Sequence, residues 1–292
     1  MRVHIYRGLE KDEERIPKDV THVIIDKSVT VIRKRAFSGR KRIISVIMAD
    51  NVKRIEKEGF RSCYALRFIQ LSKTLEYIGK YAFYKCYDLE ALFLPSTVES
   101  IETHAFNSCQ SLRLLILPND VDIGNNLIHI HRLVGGTDIR KIAKYDGVVF
   151  YGGYGVGGIN SSDRSERDPW RDYRKRMNNW LIHHMDHFPF HKLCYNSSIT
   201  SKQINDYLDE HGNNSSRFID IFHQMTPLHM ITMNPHAPAH AISALLESNI
   251  GGGFCLDFYD KTPLDYARDY NVDGLIGMIS SLCMHRYMHA RC

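Results

Sequence analysis

Long hydrophobic runs are what this sequence most plainly lacks. The stretch closest to one, Val148 to Gly158, is mostly glycine, valine and tyrosine. That is far short of the roughly twenty apolar residues a helix needs to cross a bilayer. The opening residues, MRVHIYRGLEKDEER, carry no apolar core of a secretion signal, so the expectation is a cytoplasmic chain, with the nucleus as the alternative, and not a secreted one. Cysteine is neither dense nor even in number. Cys63, Cys86, Cys109, Cys194, Cys255, Cys283 and Cys292 are spread along the chain, which argues against a small disulfide scaffold and for reduced thiols used as small hydrophobes. An excess of one charge sign is also missing. Lys and Arg number 38 against 33 Asp and Glu, too close to imply a nucleic-acid partner from composition alone. At 43% hydrophobic and 24% charged residues, the chain is neither disordered nor collagenous. Its 292 residues leave room for about two domains.

What is present is a repeat. Ile32, Ile55, Ile78 and Ile101 recur at a fixed step, as do Phe37, Phe60, Phe83 and Phe106. A small residue precedes each phenylalanine: Ala36, Gly59, Ala82 and Ala105. Val29, Val52, Leu75, Val98 and Val121 keep the step, as do Ile43, Leu66, Leu89 and Leu112 and the cysteines at 63, 86 and 109. Such a period suits a solenoid whose coils cannot bury their own phenylalanine and must share one core. Runs such as Leu112-Arg-Leu-Leu-Ile-Leu-Pro118 alternate like a strand with one buried face and end at proline, which cannot donate to the ladder.

The unit seen at Ile78-Gly-Lys-Tyr-Ala-Phe-Tyr-Lys-Cys-Tyr-Asp-Leu89 resembles the BspA-like class of leucine-rich repeats, over about residues 20–123. Arg40 stands in the cysteine column of the first coil, and the last coil loses its Ala-Phe pair, as terminal repeats commonly do. A capping strand is expected around His4-Ile-Tyr6.

From about residue 188 the period lengthens and turns helical. Thr226-Pro-Leu-His229 and Thr262-Pro-Leu-Asp265 are related copies, with Pro189-Phe-His191 as a weaker first one. Threonine caps free backbone N–H groups and proline suits the first helical position. Second helices are expected over Ser201–Glu210, Ala239–Glu247 and Val272–Tyr287. These segments resemble ankyrin repeats, with aspartate at 265 where the family favours histidine. The predicted fold class is therefore an α+β repeat protein: a leucine-rich-repeat solenoid over residues 1–135, a Gly-rich and charged linker over 136–187 ending in an amphipathic helix that caps the stack, and an all-α ankyrin-like stack of helix pairs over 188–292.

Candidate sites follow from the columns. The residues flanking the buried strand positions form two outward files, one of Ile24, Ile47, Gln70, Phe93 and Ile116 and the other of His22, Ser45, Phe68, Ala91 and Leu114. Phe68, Phe93, Leu114 and Ile116, with Ile47 and Gln70, would make an apolar patch that soluble monomers seldom expose. It either binds a partner or is covered by the linker or second half. Arg33, Lys34, Arg35, Arg40, Lys41 and Arg42 form a basic stretch that could bind an anion or act in nuclear import. No aromatic stacking residue stands beside it in sequence, so nucleic acid is disfavoured. Gly153, Gly155 and Gly158 match a dinucleotide-phosphate spacing, but no helix start follows. His183, His184, His187 and His191, and the run Cys283, His285, His289 and Cys292, lack the paired short-spaced ligands of closed zinc sites. A metal-dependent module in the His-rich region remains an alternative reading. No nucleophile or carboxylate pair stands out, and solenoids offer extended faces rather than deep pockets. The reading is a non-enzymatic adaptor with an unknown protein partner, no cofactor, no small-molecule substrate and no membrane.

Overall fold

The structure is a computed structural model and describes residues 1–8, 16–124 and 169–289. The linker up to residue 168, the glycines at 153, 155 and 158, and Cys292 lie outside the described residues.

Residues 1–8 and 16–124 wind into a β-solenoid. One parallel sheet joins β1 (Val3–Tyr6), β2 (His22–Ile25), β4 (Ser45–Met48) and β6 (Phe68–Gln70), and β8 (Ala91–Leu92) with β10 (Leu114–Leu115) continues the same columns. The register pairs His22 with Ser45, Ser45 with Phe68, and Ala91 with Leu114, so the sequence columns are the spatial columns. A second parallel sheet runs β3 (Val31–Ile32), β5 (Arg54–Ile55), β7 (Tyr77–Ile78), β9 (Ser100–Ile101) and β11 (Asp122–Ile123).

Between the sheets the phenylalanines stack ring on ring. Phe37–Phe60, Phe60–Phe83 and Phe83–Phe106 have centroids 4.9, 5.4 and 5.7 Å apart, with Tyr6 closing the ladder edge-on to Phe37 at 4.9 Å. Each ring is fully buried, and aromatic pairing adds ~0.5–1.5 kcal/mol per pair beyond burial. The cysteine column has a specific task. Cys63, Cys86 and Cys109 donate their S–H to the carbonyls of Phe37, Phe60 and Phe83 one coil back, at 3.2, 3.2 and 3.1 Å. Burial pushes the Cys63 and Cys109 thiols up to about 12, so they remain protonated donors. The small residue before phenylalanine is also explained: a Cβ on Gly59 would stand 2.9 Å from the Ile55 side chain. A feature not visible in the sequence is a pair of left-handed positions in every turn. Arg35, Glu58, Tyr81 and His104 form one file, and Gly39, Ser62, Lys85 and Ser108 the other, all with φ between 59° and 74°. Only the first member of the second file is glycine, the residue that takes this conformation without cost.

Seven helices are present among the described residues: α1 (Pro169–His183), α2 (Pro189–Tyr195), α3 (Ser201–His211), α4 (Pro227–Met233), α5 (Ala239–Ser248), α6 (Pro263–Tyr270) and α7 (Val272–His289). The amphipathic helix expected to cap the helical stack instead completes the solenoid. Met177, Trp180 and Leu181 of α1 join the core of the coils, and Leu117 N–H donates to the Leu181 carbonyl at 3.0 Å.

The remaining helices form pairs α2/α3, α4/α5 and α6/α7. First helices pack on first helices and second on second. Thr226 and Thr262 cap α4 and α6 as expected, each in a reciprocal capping box, while Phe188 before α2 supplies no side-chain cap. Buried side chains tie one pair to the next. His191 Nε2 donates to the Met225 carbonyl at 2.8 Å, and His229 Nε2 donates to the Cys255 and Lys261 carbonyls at 3.1 Å each. The Nδ1 of His229 accepts from the Thr226 N–H, which fixes the tautomer. Asn234 Nδ2 reaches back to the Cys194 and Asn196 carbonyls, and Asn271 Nδ2 to those of Asn234 and Ala237. Asp265 makes the same local cap as His229. It has no outward donor, and among the described residues no further loop follows for it to hold.

Candidate interaction surfaces

The outward columns of the solenoid are divided between two environments. At the first coils, Ile24 and Ile47 remain 42% and 41% exposed, and Gln70 is half-buried. Toward the last coils, Ala91, Phe93, Leu114 and Ile116 are buried in one cluster with Met185, Phe190 and Tyr195 of the helical half. Phe93 stacks on Tyr195 at 4.6 Å, and the Tyr195 hydroxyl donates to the Leu92 carbonyl and accepts from the Ile116 N–H. Phe68 sits at the margin, half-buried, with its ring 5.9 Å from Tyr270. The expectation that Phe93, Leu114 and Ile116 present a partner-binding patch is therefore corrected. They are the floor on which the helices dock, because so wide an apolar surface is costly to leave in water. Of that patch only Ile47 stays largely open.

Charged groups frame this internal interface. Arg67 meets Glu90 at 2.9 Å and Asp269 at 3.0 Å, and the Tyr270 hydroxyl donates to Glu90 at 2.9 Å. Arg113, nearly buried, donates to the Tyr266 hydroxyl at 2.5 Å and lies 3.7 Å from both Glu90 and Asp257. Its carbonyl accepts from His223 Nε2 at 3.0 Å. His223 in turn meets Asp220 at 3.0 Å. Burial pushes the Asp220 carboxyl up, but His223 and the loop N–H groups outweigh it and hold the group down to about 2. Removing one partner of a buried pair of this kind leaves an uncompensated charge, which is costly.

The basic stretch lies on the outer turns of the solenoid. Arg35 is paired with Glu58, one coil on, at 2.6 Å, and Arg61 joins the same carboxylate at 3.1 Å. These two arginines hold the Glu58 carboxyl below its ordinary range. The backbone N–H of Lys34 donates to Glu56 at 2.8 Å. Lys41 stands over the Tyr64 ring at 5.2 Å, and Tyr64 stacks on Tyr87 at 4.9 Å. Coil stacking thus brings aromatic rings beside the basic residues, a neighbourhood that distance along the chain concealed.

The histidines are dispersed. His183 pairs with Asp186, His187 is exposed, and His191 serves the helical stack. His184 donates through Nδ1 to the Trp180 carbonyl, and burial pushes it down to about 3. Cys283 and His285 are exposed on α7. Among the described residues no three His, Cys, Asp or Glu side chains converge as metal ligands, and no helix is long and apolar enough to cross a membrane.

One surface escaped the sequence reading. The loops preceding α4 and α6 carry Phe218, Ile219, Ile221, Phe254, Leu256 and Phe258, between 54% and 73% exposed. The loops run side by side: the Phe258 N–H donates to the His223 carbonyl, and His229 holds the second loop by two carbonyls. Each is stiffened by a buried aspartate. Asp220 accepts from the N–H groups of Phe222, His223 and Met225, and Asp257 from those of Tyr259 and Lys261. Six large apolar side chains are thus held out to solvent by rigid frames. The signal available in sequence was the density of apolar residues between two helices, in RFIDIF and GFCLDF, where a short loop has nothing to bury them against.

A family model described as a BspA type leucine rich repeat region matches residues 17–131, in six copies. Among solved structures, a leucine rich repeat protein from T. pallidum is 27% identical over 41% of this chain and 61% of its own, with a TM-score of 0.38. A leucine-rich repeat protein from Bacteroides ovatus is 22% identical over 39% of each chain, with a TM-score of 0.31. A leucine rich cell surface protein from Faecalibacterium prausnitzii is 24% identical over 40% of this chain and 34% of its own, with a TM-score of 0.34. The chain spans less than two thirds of each. No curated protein matches it. Residues 17–131 match leucine-rich repeats in sequence and the described part, 17–124, has the coils of that fold, a class associated in general with protein interaction.

Proposed function

We propose that this chain, a leucine-rich-repeat solenoid carrying a stack of helix pairs, is a non-catalytic adaptor that captures a partner polypeptide on the apolar loops of its helical half. The observation that carries this reading is the pair of rigid loops presenting Phe218, Ile219, Ile221, Phe254, Leu256 and Phe258. Large aromatic and aliphatic side chains already fixed in place cost little entropy on binding and make effective anchors. A polypeptide suits the patch better than an anionic lipid surface. The loops carry Arg217 and Lys261 against Asp220, Asp257 and Asp260, without the basic excess that membrane-surface binding uses.

The helical half reads as ankyrin-like. Three observations support this: the Thr-Pro-Leu-His and Thr-Pro-Leu-Asp helix starts, the pairing of like helices, and the histidine and asparagine bridges from one pair to the next. In that reading the exposed loops are the fingers of the stack, and the solenoid is a rigid base that fixes their orientation. The buried, reduced thiols of Cys63, Cys86, Cys109 and Cys194 fit an intracellular setting.

The test begins with affinity purification from native extract using the full chain beside a Phe218→Ser, Phe254→Ser double variant. The retained protein is then purified and titrated calorimetrically against both. Loss of two anchors of ~2 kcal/mol each weakens binding by about 10³-fold if they act independently. Equal affinity of the double variant and the wild type overturns the assignment.

A further inference from the structure

The turn faces of the first coils concentrate positive charge. Residues 33–61 contain ten lysines and arginines and three acidic residues. Across the solenoid, several cations are met by a carboxylate from the following coil: Arg35 by Glu58, Lys53 by Glu76 and Arg67 by Glu90. Three turn cations thus meet a glutamate one coil on, while Arg54 and Arg61 lie over Tyr77 and Tyr84 at the same spacing. The pattern fails at Arg40, Lys41 and Arg42. One coil on, their columns hold Cys63, Tyr64 and Ala65, and one coil back they hold Pro17, Lys18 and Asp19.

Asp19 is engaged by Arg2. Asp88 stands two coils from Arg42 in the same column. Among the described residues the Lys41 ammonium stands over the Tyr64 ring and pairs with no carboxylate, nor does Arg42, and both are exposed. The Nε of Arg40 is buried and has no hydrogen-bond partner, a costly state for a charged group. Lys18, exposed one coil before Lys41, adds a fourth cation to an edge where, among the described residues, no free acid answers.

We infer that Arg40, Lys41 and Arg42, with Lys18, form a second docking point, specific for an acidic polypeptide segment whose carboxylates take the place of the missing glutamates. A glutamate side chain on an extended segment crossing these turns is the ligand the neighbouring coils already use. Single-stranded nucleic acid fits less well. Its bases need free ring faces, and Tyr64 is sandwiched between Lys41 and Tyr87. The site is remote in sequence from the apolar loops and does not depend on them.

The probe is a fluorescein-labelled glutamate-rich peptide, titrated with the full chain and followed by anisotropy. Two charge-reversal variants are compared, Lys41→Glu with Arg42→Glu, and Lys202→Glu with Arg286→Glu on the helical half. All four residues are exposed, and the two variants change net charge equally. Reversal at 41 and 42 weakens binding roughly tenfold or more, and added salt weakens binding to the wild type. The control variant binds like the wild type. An equal loss in both variants overturns the site as mere bulk charge, as does unchanged affinity at 41 and 42. Preferential binding of a single-stranded oligonucleotide or of phosphatidylserine vesicles over the peptide overturns the partner class. Unfolding curves of both variants, unchanged from wild type, keep the comparison one of binding.

Discussion

Leu114 decides whether the strand face belongs to the inside or the outside of the molecule. It has no exposed surface and lies in the cluster that joins the last coils to the helices. Leu114→Ala removes three carbon atoms, about 2.4 kcal/mol at ~0.8 kcal/mol per buried carbon. The cavity left between a sheet and a helix layer, neither free to collapse, raises the cost to ~3–4 kcal/mol. Ile47→Ala, in the open part of the same sheet, removes a side chain already in contact with water and costs less than ~1 kcal/mol. Urea unfolding of both variants, monitored by circular dichroism and by tryptophan fluorescence, measures the difference. Trp180 lies in the solenoid core and packs edge-on against Phe222 of the helical half, so its emission, read in a Trp170→Phe background, reports undocking. A Leu114→Ala variant as stable as Ile47→Ala, with its fluorescence transition unmoved, would refute the burial argument and return the strand face to solvent.

Other consequences can be measured separately. Cys63, Cys86, Cys109 and Cys194 are buried and resist alkylation until the chain is denatured, whereas exposed Cys283 reacts in the native state; early labelling of the four contradicts the coil packing. Lys85 holds a φ of 61°, so Lys85→Gly trades backbone strain against unfolded-state entropy and changes stability little or raises it by up to ~1 kcal/mol, while Lys85→Val, β-branched in the left-handed region, destabilises by more than that. Acid lability has a worked sign. Burial depresses His184 to about 3 from 6.5, so its stability contribution is full above pH ~6.5 and is lost as pH falls toward 3, because the unfolded chain takes up the proton first. Asp220, lowered from 3.8 to about 2, adds a second loss below pH ~4. The urea midpoint therefore falls between pH 7 and pH 5 in the wild type and falls less in His184→Phe; identical slopes would contradict the assignment.

The solenoid was legible because each of its determinants recurs at one period and every column reports the same packing problem. The buried phenylalanine, the small residue before it and the cysteine behind it each have a contact that explains them. The helix starts were legible for a related reason, since threonine and proline act locally. Three things were not legible. The destination of Trp180 and Leu181 depends on what lies opposite in space, and an apolar helix face does not say which core it completes. Burial of Phe93, Leu114 and Ile116 depends on Tyr195, about eighty residues or more away in sequence, so periodicity could establish only that the column was apolar. The loop patch was missed because Phe218 and Phe254 look like core residues until the loop frames, set by Asp220 and Asp257, are seen to turn them outward. The same distance effect hid Tyr64 and Tyr87 from the basic stretch beside them.

Carbene footprinting of the full chain, read residue by residue by mass spectrometry, puts the exposed and buried apolar surfaces in one experiment. Heavy labelling of Phe218, Ile221, Phe254 and Phe258, with Phe93, Leu114 and Ile116 protected until urea separates the helices from the coils, is the expected pattern. Labelled strand residues beside protected loops in the native protein would contradict the division of surfaces on which the adaptor reading stands.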